Sequence, residues 1–192
     1  MLEMTTRPTQ PAAEPLLRLS RCILRPYTAS DAPSLAQAAN NAKIARWMRN
    51  AFPHPYTRKD AETWIPIART PSPMRDLAIC SLDGTTIMGG IGLKADGDIK
   101  YRTMEVGYWL GEDFWGQSIA TEAVMAFCEW AFAAFPKLLR IEAEVFEGND
   151  ASTHVLEKAG FDFEARHRQC IEKMGVVLDA LIYCRFRPAS AT

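Results

Sequence analysis

With 22 basic and 23 acidic side chains, this chain of 192 residues has a net charge of −1, which leaves no broad surface for a polyanion and argues against nucleic acid as a partner. Its 48% hydrophobic and 23% charged residues are those of a soluble globular protein, and the length suits one core rather than two. No apolar run is long enough to span a membrane, and the first residues lack the cationic start and apolar block of a secretory signal, so a cytoplasmic protein without membrane association is expected. The five cysteines form no CxxC pair and read as reduced thiols; the three histidines lie far apart without ligand-spaced partners, so no metal site is expected.

In chain order, residues 1–15 are rich in Pro, Thr and Ala without periodicity and read as a tail, as do residues 189–192, which leaves a single domain over 16–188. Arg21 to Tyr27 reads as a strand. Thr28 with Asp31 resembles a capping box opening a helix to about Asn41, and Thr57 with Asp60 opens a second, with Pro66 expected to kink or end it. Between them lie a short helix and a Pro-broken loop, "FPHPY". The runs "DLAICSL" and "TIMGGIGLK" flank Asp83-Gly84 and predict an antiparallel hairpin. Thr103 to Leu110 alternates as a strand, with Val106, Tyr108 and Leu110 on one face and Glu105, Gly107 and Trp109 on the other. A helix apolar nearly all round runs from about Ile119 to Phe135, where Pro136 stops it. A strand "RIEAEVF", a short helix "DASTHVLEKA" closed by Gly160, and two final strands complete the chain.

The turn "WGQSIA", between a strand and a buried helix, presents consecutive backbone N–H groups at the positive end of a helix dipole, an arrangement suited to phosphate or pyrophosphate. An ordinary strand-to-helix turn has the same local sequence. The surroundings decide between them: "MEVGYWLGEDFWGQSIATEAV" followed by "RIEAEVFEGNDASTHVLEKAGF" closely resembles the central motifs of the GNAT N-acetyltransferase superfamily, and "FPHPYTRKDAETWI" looks like the substrate-side segment of its RimJ/RimL-like branch. The resemblance extends over roughly residues 19–187.

It implies an α/β fold with a mostly antiparallel twisted sheet of six or seven strands, helices on both faces, and a V-shaped opening between the strands of Tyr108 and Val145. It also implies acetyl-CoA as cosubstrate, a primary amine as acceptor (a protein N-terminus or a small amine), direct attack without a covalent enzyme intermediate, and a monomer or homodimer. Trp115, Gly116, Gln117, Ile119, Ala120 and Thr121 match the branch's pyrophosphate loop, whereas Ser118 stands at its central Gly position; a positive φ there would strain Ser, a helical one would not. Asn149 and Ser152 match the Asn-x-x-Ser before the last helix, the Asn as a partner of the pantetheine arm; as a helix N-cap, Asn149 would look the same. Leu156 occupies the position of the tyrosine that many relatives use to protonate the thiolate, leaving Ser152, a water or another tyrosine for that step.

For proton removal from the amine, Glu105 is the candidate: a partly buried carboxylate on that strand would have a raised pKa, while a surface or salt-bridged Glu is the alternative. A free backbone N–H between Tyr108 and Leu110, Trp109 included, would polarise the thioester carbonyl. His54 and Tyr56 border the acceptor site by resemblance; without a visible orienting partner His54 suits loop packing better than catalysis, and Arg46 and Arg49 suit a solvated helix face. Ser118 and Leu156 favour a second reading, a catalytically weak acyl-CoA-binding or regulatory module.

Overall fold

The structure is a computed structural model and describes residues 13–189. The Asp83-Gly84 turn joins β3 (Asp76–Cys80) to β4 (Ile87–Ala95), with Gly84 at φ 75°, and around this hairpin an eight-stranded sheet is assembled. In chain order the others are β1 (Leu17–Arg18), β2 (Ile23–Arg25), β5 (Thr103–Leu110), β6 (Arg140–Phe146), β7 (Asp162–Lys173) and β8 (Val176–Phe186), and the spatial order is β1-β2-β3-β4-β5-β6-β8-β7. Eight strands replace the six or seven expected, because the two-residue β1, which pairs antiparallel with β2, is too short to show any alternation in sequence.

Every pairing is antiparallel except β5 with β6, which is parallel and confined to Thr103–Glu105 against Arg140–Glu142. Beyond those three residues β6 keeps only β8 as a partner, along all of Arg140–Phe146, while β5 keeps only β4. The two strands therefore part after Glu105, and the sheet opens between Tyr108 and Val145.

Alternation along the strands divides the core in two. One face carries Leu77, Ile79, Ile91, Leu93, Val106 and Leu110 and packs on α4 (Ile119–Ala134) and α5 (Asp150–Lys158). The helix α4 contributes Ala123, Val124, Phe127, Cys128 and Ala131, all fully buried, as its all-round apolar sequence requires. The opposite face carries Ala78 and Cys80 under α1 (Ala32–Ala39) and α3 (Arg58–Arg69), with Trp109 packed against them; the four-residue α2 (Ala42–Ala45) lies between these helices in the chain.

Both predicted capping boxes are present, Thr28/Asp31 through a 3-10 turn that leads into α1 and Thr57/Asp60 at the start of α3. Pro66 does not end α3, which continues to Arg69: Pro66 and Glu62, the residue whose carbonyl it leaves without a donor, both lie on the solvent side. Asp31 has a second task. Its carboxylate takes two 2.8 Å bonds from the Arg25 guanidinium, which also donates to the Gly84 carbonyl, so a buried ion pair fastens β2 and the α1 cap to the β3–β4 turn.

Candidate active site

The chain leaves β5 at Leu110, and the Trp115 indole N–H returns to the Leu110 carbonyl at 2.8 Å, drawing the following turn back against the strand. Gln117 is held at both ends, its side chain on the Asp113 carbonyl and its own carbonyl on the Arg21 guanidinium. Gly116 has φ 72° and Ser118 φ 61°, two left-handed residues flanking Gln117. Ser118 thus adopts the conformation for which Gly is suited, and it is the N-cap of α4 without a capping hydrogen bond from its side chain. The Glu122 carboxylate, one turn into α4, is likewise turned away from the helix amides and accepts from the backbone N–H of Ser20 and Arg21. None of the backbone N–H groups of Gly116, Gln117, Ser118, Ile119, Ala120 and Thr121 donates to a protein acceptor among the described residues, and all six residues line one cleft of about 1210 Å³.

The cleft continues along the free edge of β5. The bond from Gly111 N–H to the Met88 carbonyl fixes the phase of the ladder: the N–H groups of Glu105, Gly107 and Trp109 face β4, and those of Val106, Tyr108 and Leu110 face the opening. Trp109 is therefore corrected as a source of a free N–H; what it brings to the cleft is its ring. Across the opening, the Tyr108 hydroxyl lies 2.8 Å from Ser152 Oγ and donates to the Ser152 carbonyl at 3.1 Å, linking β5 to the first turn of α5. Burial pushes the Tyr108 phenol well above its usual range, only partly offset by Ser152, so it stays protonated. Asn149 is the N-cap of α5, its side chain accepting from Ser152 N–H, and it also lines the cleft. Leu156 is fully buried at the cleft wall.

On the other side of the sheet, Glu105 is partly buried, but its neighbours are cations rather than apolar groups. Arg49 bonds Glu105 at 2.5 Å and reaches Glu144 on β6 at 3.5 Å, while Lys94 lies 3.9 Å from Glu105. Tyr56 is buried with its ring 5.0 Å from Phe52, which in turn meets Trp109 edge-on at 5.6 Å, and all three line the cleft. Burial raises the Tyr56 phenol to about 12. His54 is exposed and lies outside the cleft lining, which leaves it the loop position.

This geometry agrees with what the comparisons find. A family model described as an acetyltransferase (GNAT) domain matches residues 21–162, which include the turn, both parting strands and α5. The chain belongs to the GNAT acetyltransferases. YoaA of Bacillus subtilis, an uncharacterized N-acetyltransferase, is 28% identical over 176 residues, covering 91% of this chain and 98% of its own. In fold, the chain is similar to the ribosomal L7/L12 α-N-protein acetyltransferase RimL in complex with coenzyme A, with TM-score 0.76, 19% identity, and 90% and 98% of the two chains covered. Mycobacterium smegmatis RimJ in complex with CoA-disulfide gives TM-score 0.74 and 24% identity over 86% and 81% of the chains.

Three features of this GNAT acetyltransferase's cleft were outside the reach of its sequence. The Tyr108–Ser152 contact spans 44 residues and the Arg49–Glu105 pair 56, and neither has a local signature. Asp76, at the start of β3, also lines the cleft, and nothing in the sequence sets it apart from the strand it opens. Arg49, which in sequence suits a solvated helix face, bridges two glutamates where β5 and β6 part. Among the described residues, no group of three or more His, Cys, Asp or Glu is placed to hold a metal, and no helix is long and apolar enough to cross a membrane.

Proposed function

We propose that the protein is an acetyl-CoA-dependent N-acetyltransferase of the RimJ/RimL-like kind, which transfers acetyl to a primary amine by direct attack. The observation that carries this reading is the parting of β5 from β6, which joins the unbonded amides of Gly116–Thr121, the free N–H edge of β5 and the Glu105 carboxylate in one cleft. Acetyl-CoA supplies the acetyl group as an activated thioester. The amides of the turn and the first turn of α4 would hold its pyrophosphate, the dipole of the 16-residue α4 adding to the attraction. Ser118 leaves this unimpaired, since its left-handed φ keeps its amide in the row. The N–H groups of Val106 and Tyr108 would take the pantetheine as an added strand, with that of Leu110 or Tyr108 polarising the carbonyl, and Asn149 would bond the arm.

Glu105 would accept the proton of the attacking amine, directly or through a water, with Arg49 fixing its carboxylate. Ser152 would return a proton to the departing thiolate and be resupplied by Tyr108, whose hydroxyl is already within hydrogen-bonding distance. This pair takes over the task that Leu156 excludes for its own position, and it weakens the case for a module that only binds acyl-CoA. Tyr56 and Trp109 would line the acceptor's path.

Thiol release from acetyl-CoA, measured over a panel of peptides and small amines alongside calorimetric binding of coenzyme A, tests the reading. Turnover with a defined class of amines is expected; tight binding with no turnover on any of them would leave the binding module. On a true acceptor, Glu105→Gln is expected to lower the neutral-pH rate by about 10² with partial recovery at high pH, where the amine is already neutral. An unchanged pH–rate profile would remove Glu105 as the base.

A further inference from the structure

On the face of the sheet under α1 and α3, one row is nearly without side chains. Asp76 on β3 pairs with Gly92 on β4, and Gly92 with Gly107 on β5. The Asp76 carboxylate leans along this row: Oδ1 stands 2.1 Å from the point a Cβ on Gly92 would occupy, so it covers that glycine. Over Gly107, one strand nearer the opening, nothing lies within 4 Å of the equivalent point. Next along β4, the Tyr27 hydroxyl and the Trp109 indole nitrogen close over Gly90, at 2.5 and 2.8 Å from its equivalent point. The result is a bare patch of floor over Gly107, bounded by a carboxylate on one side and by Trp109 and Glu105, both on β5, along the strand.

Most of the charged groups around this patch are committed to one another. Arg49 serves both Glu105 and Glu144, Lys94 is also close to Glu105, Lys43 pairs with Glu112, and Asp60 is bound into the cap of α3. Asp76 has no hydrogen-bond or ion-pair partner among the described residues; Arg75, its chain neighbour, acts on it only at longer range, and the phenol of Tyr27 is nearby. Burial pushes its carboxyl up to about 6, with Arg75 pulling it back, so at neutral pH a partly buried anion lines the cleft without a direct ion-pair partner. Trp64 and Trp109 also line this cleft.

We propose that Asp76 is the specificity carboxylate of the acceptor half of the cleft: it pairs with a second, protonated nitrogen of the acceptor, set off from the nitrogen that is acetylated. The position argues for a second nitrogen. The thioester meets its acceptor where β5 parts from β6, whereas the Asp76 carboxylate lies over β4, one to two strand spacings away, about 5–10 Å. A single amino group does not reach both places, but the two ends of a short diamine do, as do an N-terminal amine and a neighbouring basic side chain. The reacting nitrogen must be neutral when it attacks, while the second remains charged and gives Asp76 its counter-ion. This assignment rests on the transferase reading given above.

Matched amines test it: n-butylamine against putrescine, which adds only the second nitrogen. With wild-type protein, kcat/KM for putrescine should exceed that for butylamine by tenfold or more, mainly through KM, and Asp76→Asn should erase the gap while leaving butylamine within about twofold. Equal use of the two by the wild type, a gap that survives in Asp76→Asn, or an equal loss on both amines would overturn the proposal. A binding readout needs no turnover. In the presence of coenzyme A, putrescine should raise Tm more than butylamine does, and the difference should vanish in Asp76→Asn and in Asp76→Ser; a difference that persists in either overturns the assignment. Absence of thiol release with every amine would refute the transferase reading alone, because the thermal shift still decides the role of Asp76. Neither variant is expected to melt below the wild type at neutral pH, since each removes an unpaired, partly buried charge.

Discussion

Ser118→Gly should stabilise the protein, the reverse of what Ser to Gly does at an ordinary helix start. Ser118 has φ 61° and ψ 10°, and its side chain makes no capping bond that the substitution would lose. An L-residue in the left-handed region costs about 1–2 kcal/mol that Gly does not incur. Against this, Gly enlarges the freedom of the unfolded chain by about 0.4–1 kcal/mol. The balance is a gain of about 0.5–1 kcal/mol, which for a domain of this size raises Tm by about 1–4 °C. Thermal denaturation of the apo protein reads it directly. Ser118→Ala keeps the strained backbone and should leave Tm nearly unchanged, whereas Ser118→Val, β-branched at a positive φ, should lower it. Coenzyme A affinity measured on the same variants separates backbone from hydroxyl: binding through amides predicts equal or tighter binding by Ser118→Gly. A tenfold loss in both the Gly and Ala variants would show that the hydroxyl holds the phosphate. A fall in Tm for Ser118→Gly of the kind expected in a right-handed helical residue would refute the reasoning.

Arg25→Met should cost about 3–5 kcal/mol by leaving Asp31 buried without its cation, and adding Asp31→Leu should restore most of the loss; equal stability of the two variants in denaturant titration would contradict a buried pair. Burial alone would raise the Asp31 carboxyl, but the Arg25 guanidinium and Thr28 outweigh it and hold the pKa below the ordinary aspartate value. The stability that this depressed pKa contributes is therefore present above about pH 4 and lost as pH falls through the folded pKa, so Asp31→Asn, less stable at neutral pH, should lose less than the wild type on acidification. Tyr108→Phe and Ser152→Ala should each slow turnover by about tenfold, and the double variant should be little worse than either, as for residues acting as a unit; additive losses in kcat would mean that they do not share one proton path.

How far the sequence discloses this molecule depends on the range over which each feature is determined. The alternation of Thr103–Leu110 gives β5 with its ends, and the apolar run before Pro136 gives α4, because period and punctuation are local. The two capping boxes, each formed by residues three positions apart, are legible for the same reason. The turn residues Gly116 and Ser118 are recognisable as a family pattern, but the sign of φ at Ser118 is decided only by the packing of strand, turn and helix. The charged half of the cleft is invisible in sequence because its geometry comes from the sheet order: Arg49 meets Glu105 and Glu144 on two strands that part, and Asp76 leans over Gly92 because β3 and β4 pair in that register. His54 shows the opposite failure, a residue of suggestive chemistry in a suggestive loop that the fold leaves at the surface.

A crystal structure with coenzyme A bound would show whether one cleft holds acetyl-CoA across the sheet's opening, with the acceptor arriving from the α1–α3 side. Pyrophosphate oxygens are expected within hydrogen-bonding distance of amides between Gly116 and Thr121, the pantetheine along the Val106–Leu110 edge, and its sulfur beside Ser152 Oγ and the Tyr108 hydroxyl. Coenzyme A lying elsewhere, or in this cleft with its sulfur remote from both Ser152 and Glu105, would contradict this arrangement.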